Sequence, residues 1–259
     1  MFQNEAPYLE EWIAYHLRLG FDHIYLTNDA SEDHYLPVVQ PFIDKGLVSL
    51  EQARQDRNFF DREEWHKNQM LRRARGRYTW VAFLDVDEFI FAPDHNLRQW
   101  LRERQNISGL VLNWMLFGTS GVERLQPGER LTTTLNRRFP EAHQEHYQVK
   151  SLVQPHRGFI FFNNNPHYPQ YSPLARLRHP GGQRFHPARP LIQRRPLSIN
   201  HYWYRTEEFY REVKLPRRIF FTGQERSSRL ENWHREQSQR VLDCGLSHFW
   251  DAEGPVPDD

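Results

Sequence analysis

Apolar positions in the first half of the chain alternate between two spacings. Over residues 6–20, Leu9, Trp12, Ile13, Leu17 and Leu19 recur near the helical period, and Gly20 supplies a stop. Residues 23–27 (HIYLT) form a short β-rich run. Residues 36–45 again carry helical spacing, closed by Gly46, and 47–50 read as a second strand. A polar helix follows over 61–75, with Trp65, Met70 and Leu71 facing inward and Gly76 at its end. Residues 79–84 (TWVAFL) are almost continuously apolar, as buried parallel strands are. The spacing then predicts helix over 96–105 and strand over 110–117 (LVLNWMLF). Such alternation with short connections predicts an α/β fold: a doubly wound, mostly parallel sheet with helices on both faces. Sheets of that kind bind ligands at the carboxyl ends of their strands, which directs attention to the residues just after Thr27, Leu50, Leu84 and Phe117.

Beyond about residue 118 the character changes. Pro, Arg and His dominate as far as about residue 200, with short β runs at 149–153 and 159–162. Residues 166–190 hold six prolines and read as an extended loop. A last strand is expected within 197–204 (LSINHYWY), helices over 206–214 and 225–242, and a frayed tail over 253–259. The chain therefore divides into an α/β half (1–117), a second half of the same domain that completes the site (118–250), and a tail (251–259).

Composition narrows the classes. A chain of 259 residues fits one large domain. Lys plus Arg (34) nearly equals Asp plus Glu (33), so the net charge of +1 lacks the basic excess of an electrostatic nucleic-acid binder. Cys244 is the single cysteine; it excludes an internal disulfide or a cysteine zinc site and fits a reducing compartment. No apolar run approaches the length of a membrane span, and the first residues lack the basic-then-apolar pattern of a secretion signal.

The sharpest chemical signal is Leu84-Asp85-Val86-Asp87-Glu88-Phe89. In extended chain Asp85 and Asp87 point to one side, where two carboxylates repel unless a cation joins them. Hard oxygen donors suit Mg²⁺ or Mn²⁺, and such a metal with open positions suits a diphosphate. The bland alternative is a pair of solvated loop acids. Glu88 points the other way and would anchor the turn. A second signal, TNDASED over 27–33, offers acceptors for base and ribose hydroxyls; it is equally a capping turn before the next helix. His201 lies in the aromatic run Ile199-Asn200-His201-Tyr202-Trp203, either as a satisfied core residue or as a distant metal ligand. Neither a phosphate-cradling glycine loop nor a dinucleotide fingerprint is present.

Together these pieces resemble a known group. NEAPYLEEWIAYH (4–16) with GFDHIYL (20–26) looks like the opening of family 2-like and family 92-like glycosyltransferases, and so does WVAFLDVDEF (80–89). FGTSG (117–121), KSLVQP (150–155) and NHYW (200–203) followed by Glu207, Glu208 and Phe209 match further on, so the likeness runs from Asn4 to about Lys214. The resemblance implies a GT-A fold and a nucleotide-sugar donor, most often a UDP-sugar. It implies Mn²⁺ or Mg²⁺ at Asp85 and Asp87, with His201 as third ligand, and an inverting transfer in which a carboxylate takes the acceptor proton. It assigns Asn28, Asp29 and Asp33 to a nucleoside-binding turn, Asn4 and Glu5 to the end of a first strand, Gln69 to a helix position facing the nucleotide, and Lys150 to phosphate. Glu123 is the expected base, with Glu207 and Glu208 as rivals. A glycan or lipid-linked glycan is the implied acceptor, in a cytoplasmic protein that touches the inner face of a membrane without spanning it. The family's first strand would precede Asn4, where only Met1, Phe2 and Gln3 stand, so a shortened chain with an empty slot in the sheet is expected. Two other classes share these features: a non-catalytic remnant that binds or scaffolds, and a metal-dependent nucleotidyl or phosphoryl transferase.

Overall fold

A computed structural model describes residues 1–93, 96–157, 160–171, 177–189, 191–223 and 228–251. The expected tail over 253–259, and parts of the 159–162 run, the proline-rich loop and the 225–242 helix, lie outside these residues.

Helix α1 (Ala6–Leu19) begins with Pro at its first turn and ends where Gly20, at φ 111°, adopts the left-handed conformation and donates to the carbonyls of His16 and Leu17. Strand β1 (Ile24–Asn28), helix α2 (Tyr35–Asp44), strand β2 (Val48–Gln52) and helix α3 (Phe59–Ala74) follow the sequence pattern within a few residues. Next come β3 (Val81–Ala82), β4 (Glu88–Phe91), α4 (Leu97–Arg102), β5 (Gly109–Leu116), α5 (Leu131–Thr134), β6 (Arg137–Arg138), β7 (Val149–Val153), β8 (Ile160–Phe161), β9 (Gln170–Tyr171), β10 (Leu177–Arg178) and β11 (Ser198–His201). Helix α6 (Glu207–Phe209) runs into a π-turn (Tyr210–Lys214) and α7 (Leu215–Thr222); α8 (Ser228–Gln237) and β12 (Val241–Leu242) close the described chain.

The α/β class holds, with a mixed central sheet in place of a mostly parallel one. Its order is β3-β7-β5-β11-β4, with β10 also on β5. β7 runs antiparallel to both β3 and β5; β11 runs parallel to β5 and antiparallel to β4. The reason is local. TWVAFL does not continue as one strand; after Ala82 the chain turns through Val86 and Asp87 and leaves as β4. The second half of the chain then supplies β7 and β11 from a distance. β1 and β2 form a separate parallel pair.

Successive residues of β4 face opposite sides. Phe89 and Phe91 pack with Trp12, Tyr15 and Phe117 on the α1 side, while Ile90 packs with Leu97, Trp100 and Leu101 of α4. Two buried hydrogen bonds fasten α1 to this strand: Trp12 Nε1 donates to the Glu88 carbonyl at 2.9 Å and Tyr15 Oη to that of Ile90 at 2.6 Å. Helices thus cover both faces, as the pattern predicts.

Phe2 forms a parallel bridge to Asn28 at the edge of β1, donating to the Thr27 carbonyl at 2.9 Å. Alongside lies a cavity of about 410 Å³, lined among others by Met1, Ile24, Tyr25, Trp80, Ala82 and Phe83.

Candidate functional site

The chemistry-bearing residues meet where β3 and β11 end and β4 and β7 begin. Register explains the meeting. His201 is the last residue of β11, paired across to Glu88 on β4 and to Leu116 on β5. Lys150 lies on β7 two residues from Leu152, the partner of Ala82, and so reaches the chain just past β3.

Asp85 and Asp87 do not share one side of an extended strand. The chain turns at Val86 and Asp87, and the Glu88 carboxylate accepts the Asp85 N–H at 2.9 Å within that turn. Asp85 takes the Lys150 ammonium at 2.6 Å, and Lys150 also lies 3.5 Å from Glu88. Asp87 takes the Lys214 ammonium at 2.6 Å and stands 3.5 Å from His201 Nε2 and 3.6 Å from the Arg205 guanidinium. Arg205, almost fully buried, pairs with Glu5 and lies 4.1 Å over the Tyr8 ring and 4.5 Å over that of Phe209. Nearby, Lys67 donates to Glu63 at 2.5 Å and to the Pro166 carbonyl at 2.7 Å.

Burial and charge divide the three acids. Burial alone pushes the Asp85 carboxyl up, but Lys150 and Lys67 outweigh it and hold the group well below its ordinary value. The same contest leaves Asp87 well below, through Lys214, His201 and Arg205. For Glu88 burial wins instead: it raises the carboxyl well above its ordinary value against the opposing pull of Lys150. Burial lowers His201 despite Asp87, which leaves the imidazole neutral at pH 7. Its Nδ1 is buried with no hydrogen-bond partner among the described residues, and its ring lies 4.2 Å from that of Trp114.

Two carboxylates and an imidazole are donors that Mn²⁺ or Mg²⁺ accepts. Among the described residues, however, no group of three His, Cys, Asp or Glu converges as a metal site. Lys150 and Lys214 hold the carboxylate oxygens that a cation would take. The residues fit a divalent ion in type, and both ammonium groups must turn away to admit it.

The other expected site residues form a second group at the end of β1. Asn28 donates to Gln52 and Tyr35 and accepts from Ser31 N. Asp29, buried, accepts from Arg62 at 2.8 Å and Gln55 at 3.1 Å. Asn4 adopts φ 54° and accepts the Glu32 N–H. Asp33 accepts the Ala6 N–H at 2.7 Å, placing a carboxylate at the start of α1. Glu5 precedes that helix and joins the group to Arg205. Gln69 is half-buried on α3.

Glu123 stands elsewhere. It is exposed and paired with Arg211 at 2.5 Å, and that hydrogen bond holds its carboxyl below the usual range. A base there would first have to leave Arg211. Of its rivals, Glu207 accepts from Thr119 at 2.6 Å and pairs with Arg235, and Glu208 pairs with Arg124. Sequence reasoning missed Arg205 and Lys214. The available signal was the presence of cationic residues, Arg205 and Lys214 among them, in the aromatic stretch YWYRTEEFYREVK (202–214).

The model of glycosyltransferase family 92 matches residues 1–176, and the chain belongs to that family. A family 92 protein of Ricinus communis is 28% identical over 245 residues, which are 92% of this chain and 39% of that protein. A family 92 protein of Arabidopsis thaliana is 30% identical over 60% of this chain and 28% of its own length. A galactan β-1,4-galactosyltransferase of Arabidopsis thaliana is 32% identical over 36% of this chain and 19% of its length. This chain therefore spans about two-fifths or less of these curated relatives. No described helix is long and apolar enough to cross a membrane.

Proposed function

We propose that this chain binds a nucleotide-sugar, a UDP-sugar in the first instance, and transfers the sugar with inversion to a glycan or lipid-linked glycan. The observation that carries the proposal is the cluster of part-exposed Asp85 and buried Asp87 with the buried Lys150, Lys214 and His201, inside a chain of glycosyltransferase family 92. A largely buried set of paired acids and ammonium groups is costly to assemble for stability alone, because desolvation consumes much of the Coulomb gain. It suits a ligand that brings a diphosphate.

In this reading Asn28, Asp29 and Asp33, with Asn4, Glu5 and Gln69 nearby, line the nucleoside end, and Lys150 serves the phosphate end. Asp85, Asp87 and His201 would hold Mn²⁺ or Mg²⁺, which supplies positive charge against the leaving diphosphate. The acceptor oxygen forms its bond to the anomeric carbon as the bond from that carbon to phosphate breaks; a carboxylate receives the hydroxyl proton. The name of the Arabidopsis relative makes galactose the first sugar to test.

Thermal melts with UDP, GDP, CDP and ADP, each with and without Mn²⁺, test the reading, since a ligand of the native state raises the melting temperature by mass action. A shift with one nucleotide only in the presence of Mn²⁺, absent in Asp87→Ala, is expected. No shift with any of them on a folded sample would favour a non-catalytic scaffold, and pyrophosphate release from nucleoside triphosphates would favour the nucleotidyl transferase.

A further inference from the structure

The cavity of about 410 Å³ beside β1 has no role in the nucleotide-sugar reading. It is more than twice the about 150 Å³ that takes a benzene ring, and so in the size class of small-molecule sites. Much of its wall is apolar: Phe21, Ile24, Met70, Trp80, Leu97 and Leu101 all line it.

Two buried polar atoms of the lining residues have no hydrogen-bond partner among the described residues, and they are of opposite kind. His16 is 2% exposed; its Nδ1 lies 2.9 Å from the Trp12 carbonyl oxygen. A carbonyl only accepts, so Nδ1 carries the hydrogen and Nε2 is a bare acceptor. Trp80 Nε1 is a bare donor. Buried groups left in this way cost stability until something meets them. A hydroxyl group meets the first and an ester carbonyl the second.

Charge appears where the lining reaches the surface. Arg77, Arg98, Arg102 and Asp22 line the cavity and are exposed. Arg98 pairs with Asp22 at 2.6 Å. The guanidinium groups of Arg77 and Arg102 have no ion-pair or hydrogen-bond partner among the described residues, so the rim carries positive charge that the protein does not balance. An uncharged apolar ligand would leave that rim unanswered, and an inorganic anion would leave the apolar wall empty.

We propose that this cavity binds an anionic single-chain lipid, with its acyl chain against the apolar wall, its hydroxyl and ester at His16 and Trp80, and its phosphate at Arg77 and Arg102. The site is separate from the acid and lysine cluster and does not depend on the nucleotide-sugar reading.

The test titrates lauroyl lysophosphatidate, below its micelle concentration, into the full chain by calorimetry. One molecule per chain is expected. Each of three probes lacks one recognised part: lauroyl monoglyceride the phosphate, octanoyl lysophosphatidate four methylenes, and dodecyl phosphate the hydroxyl and ester. Each should bind at least about tenfold more weakly. Glycerol phosphate, which lacks the chain, should not bind. Arg77→Gln combined with Arg102→Gln should reduce the affinity for lauroyl lysophosphatidate to that for the monoglyceride, and leave the monoglyceride unchanged. Trp80→Phe should weaken lauroyl lysophosphatidate and leave dodecyl phosphate unchanged. General damage to the fold would weaken all probes together. No binding of lauroyl lysophosphatidate to a folded sample, as a cavity that takes only extended peptide would give, overturns the proposal. Equal affinity for this lipid and its monoglyceride, or an unchanged affinity in the double arginine variant, overturns it as well. Displacement of the lipid by UDP with Mn²⁺ would assign the cavity to the donor and end the case for a separate site.

Discussion

Acid sensitivity of the fold can be worked from His146. Its ring is fully buried. Nε2 accepts the Leu116 N–H at 3.0 Å, and Nδ1 lies 3.1 Å from the Glu141 carbonyl oxygen. A carbonyl only accepts, so Nδ1 carries the hydrogen and Nε2 is bare. Protonating Nε2 would set two donors against each other at the end of β5. Burial is the main cause that pushes this imidazole down to about 4. In the unfolded chain an ordinary histidine titrates near 6.5. Between those values the unfolded state takes up a proton that the folded state refuses. The stability held above pH 6.5 is therefore lost as the pH falls and is exhausted near pH 4. Roughly 2.5 units at about 1.4 kcal/mol each gives about 3 kcal/mol. His16 and His167 are pushed down to about 4 as well, so the parent slope will exceed one histidine's share. The difference between parent and His146→Gln isolates it. At pH 7.5 the variant should be less stable by about 1–3 kcal/mol, having lost partners for buried polar groups. Urea unfolding followed by tryptophan fluorescence, at half-unit steps from pH 7.5 to 4, should show that deficit shrinking by about 1.4 kcal/mol per unit below pH 6.5 and then reversing. Parallel stability curves for the two proteins would refute the reasoning.

Two further substitutions separate surface from buried charge. Glu123→Gln should change kcat by no more than roughly threefold, because an exposed ion pair contributes little; a fall of a hundredfold or more at unchanged KM would make Glu123 the base after all. Asp243 accepts from both Arg138 and Arg194 at 2.6 Å, and Arg194 also lies 4.0 Å over the Phe91 ring. Asp243→Asn should cost about 3–5 kcal/mol in chemical denaturation, the penalty for stranding buried charge, and a loss below about 1 kcal/mol would show that the two arginines find water or other acceptors.

Periodicity made the elements of the first half legible because each helix and strand there buries one face against a core that its own spacing announces; Trp12, Ile13 and Tyr15 on α1 are the example. Strand direction was not legible. TWVAFL has the composition of a long buried strand, yet the Glu88 carboxylate gives the Asp85 N–H a partner inside a turn, so the chain folds back after Ala82. That side-chain bond lies within the turn that carries Asp85 and Asp87, and no spacing rule contains it. The acids themselves were legible as a pair, because two carboxylates so close after an apolar run demand compensation. What compensates them was not. Lys150 lies 65 residues from Asp85, Lys214 lies 127 from Asp87, and Arg205 lies 200 from Glu5. Lys150 arrives through the pairing of β7 with β3, whereas Arg205 and Lys214 arrive because β11 inserts between β5 and β4 and leads into Arg205 and the π-turn beside Asp87. The second half, which read as irregular and rich in proline and arginine, thus supplies most of the positive charge of the site. Sequence alone shows a demand for charge at Asp85 and Asp87; the fold determines that distant lysines meet it.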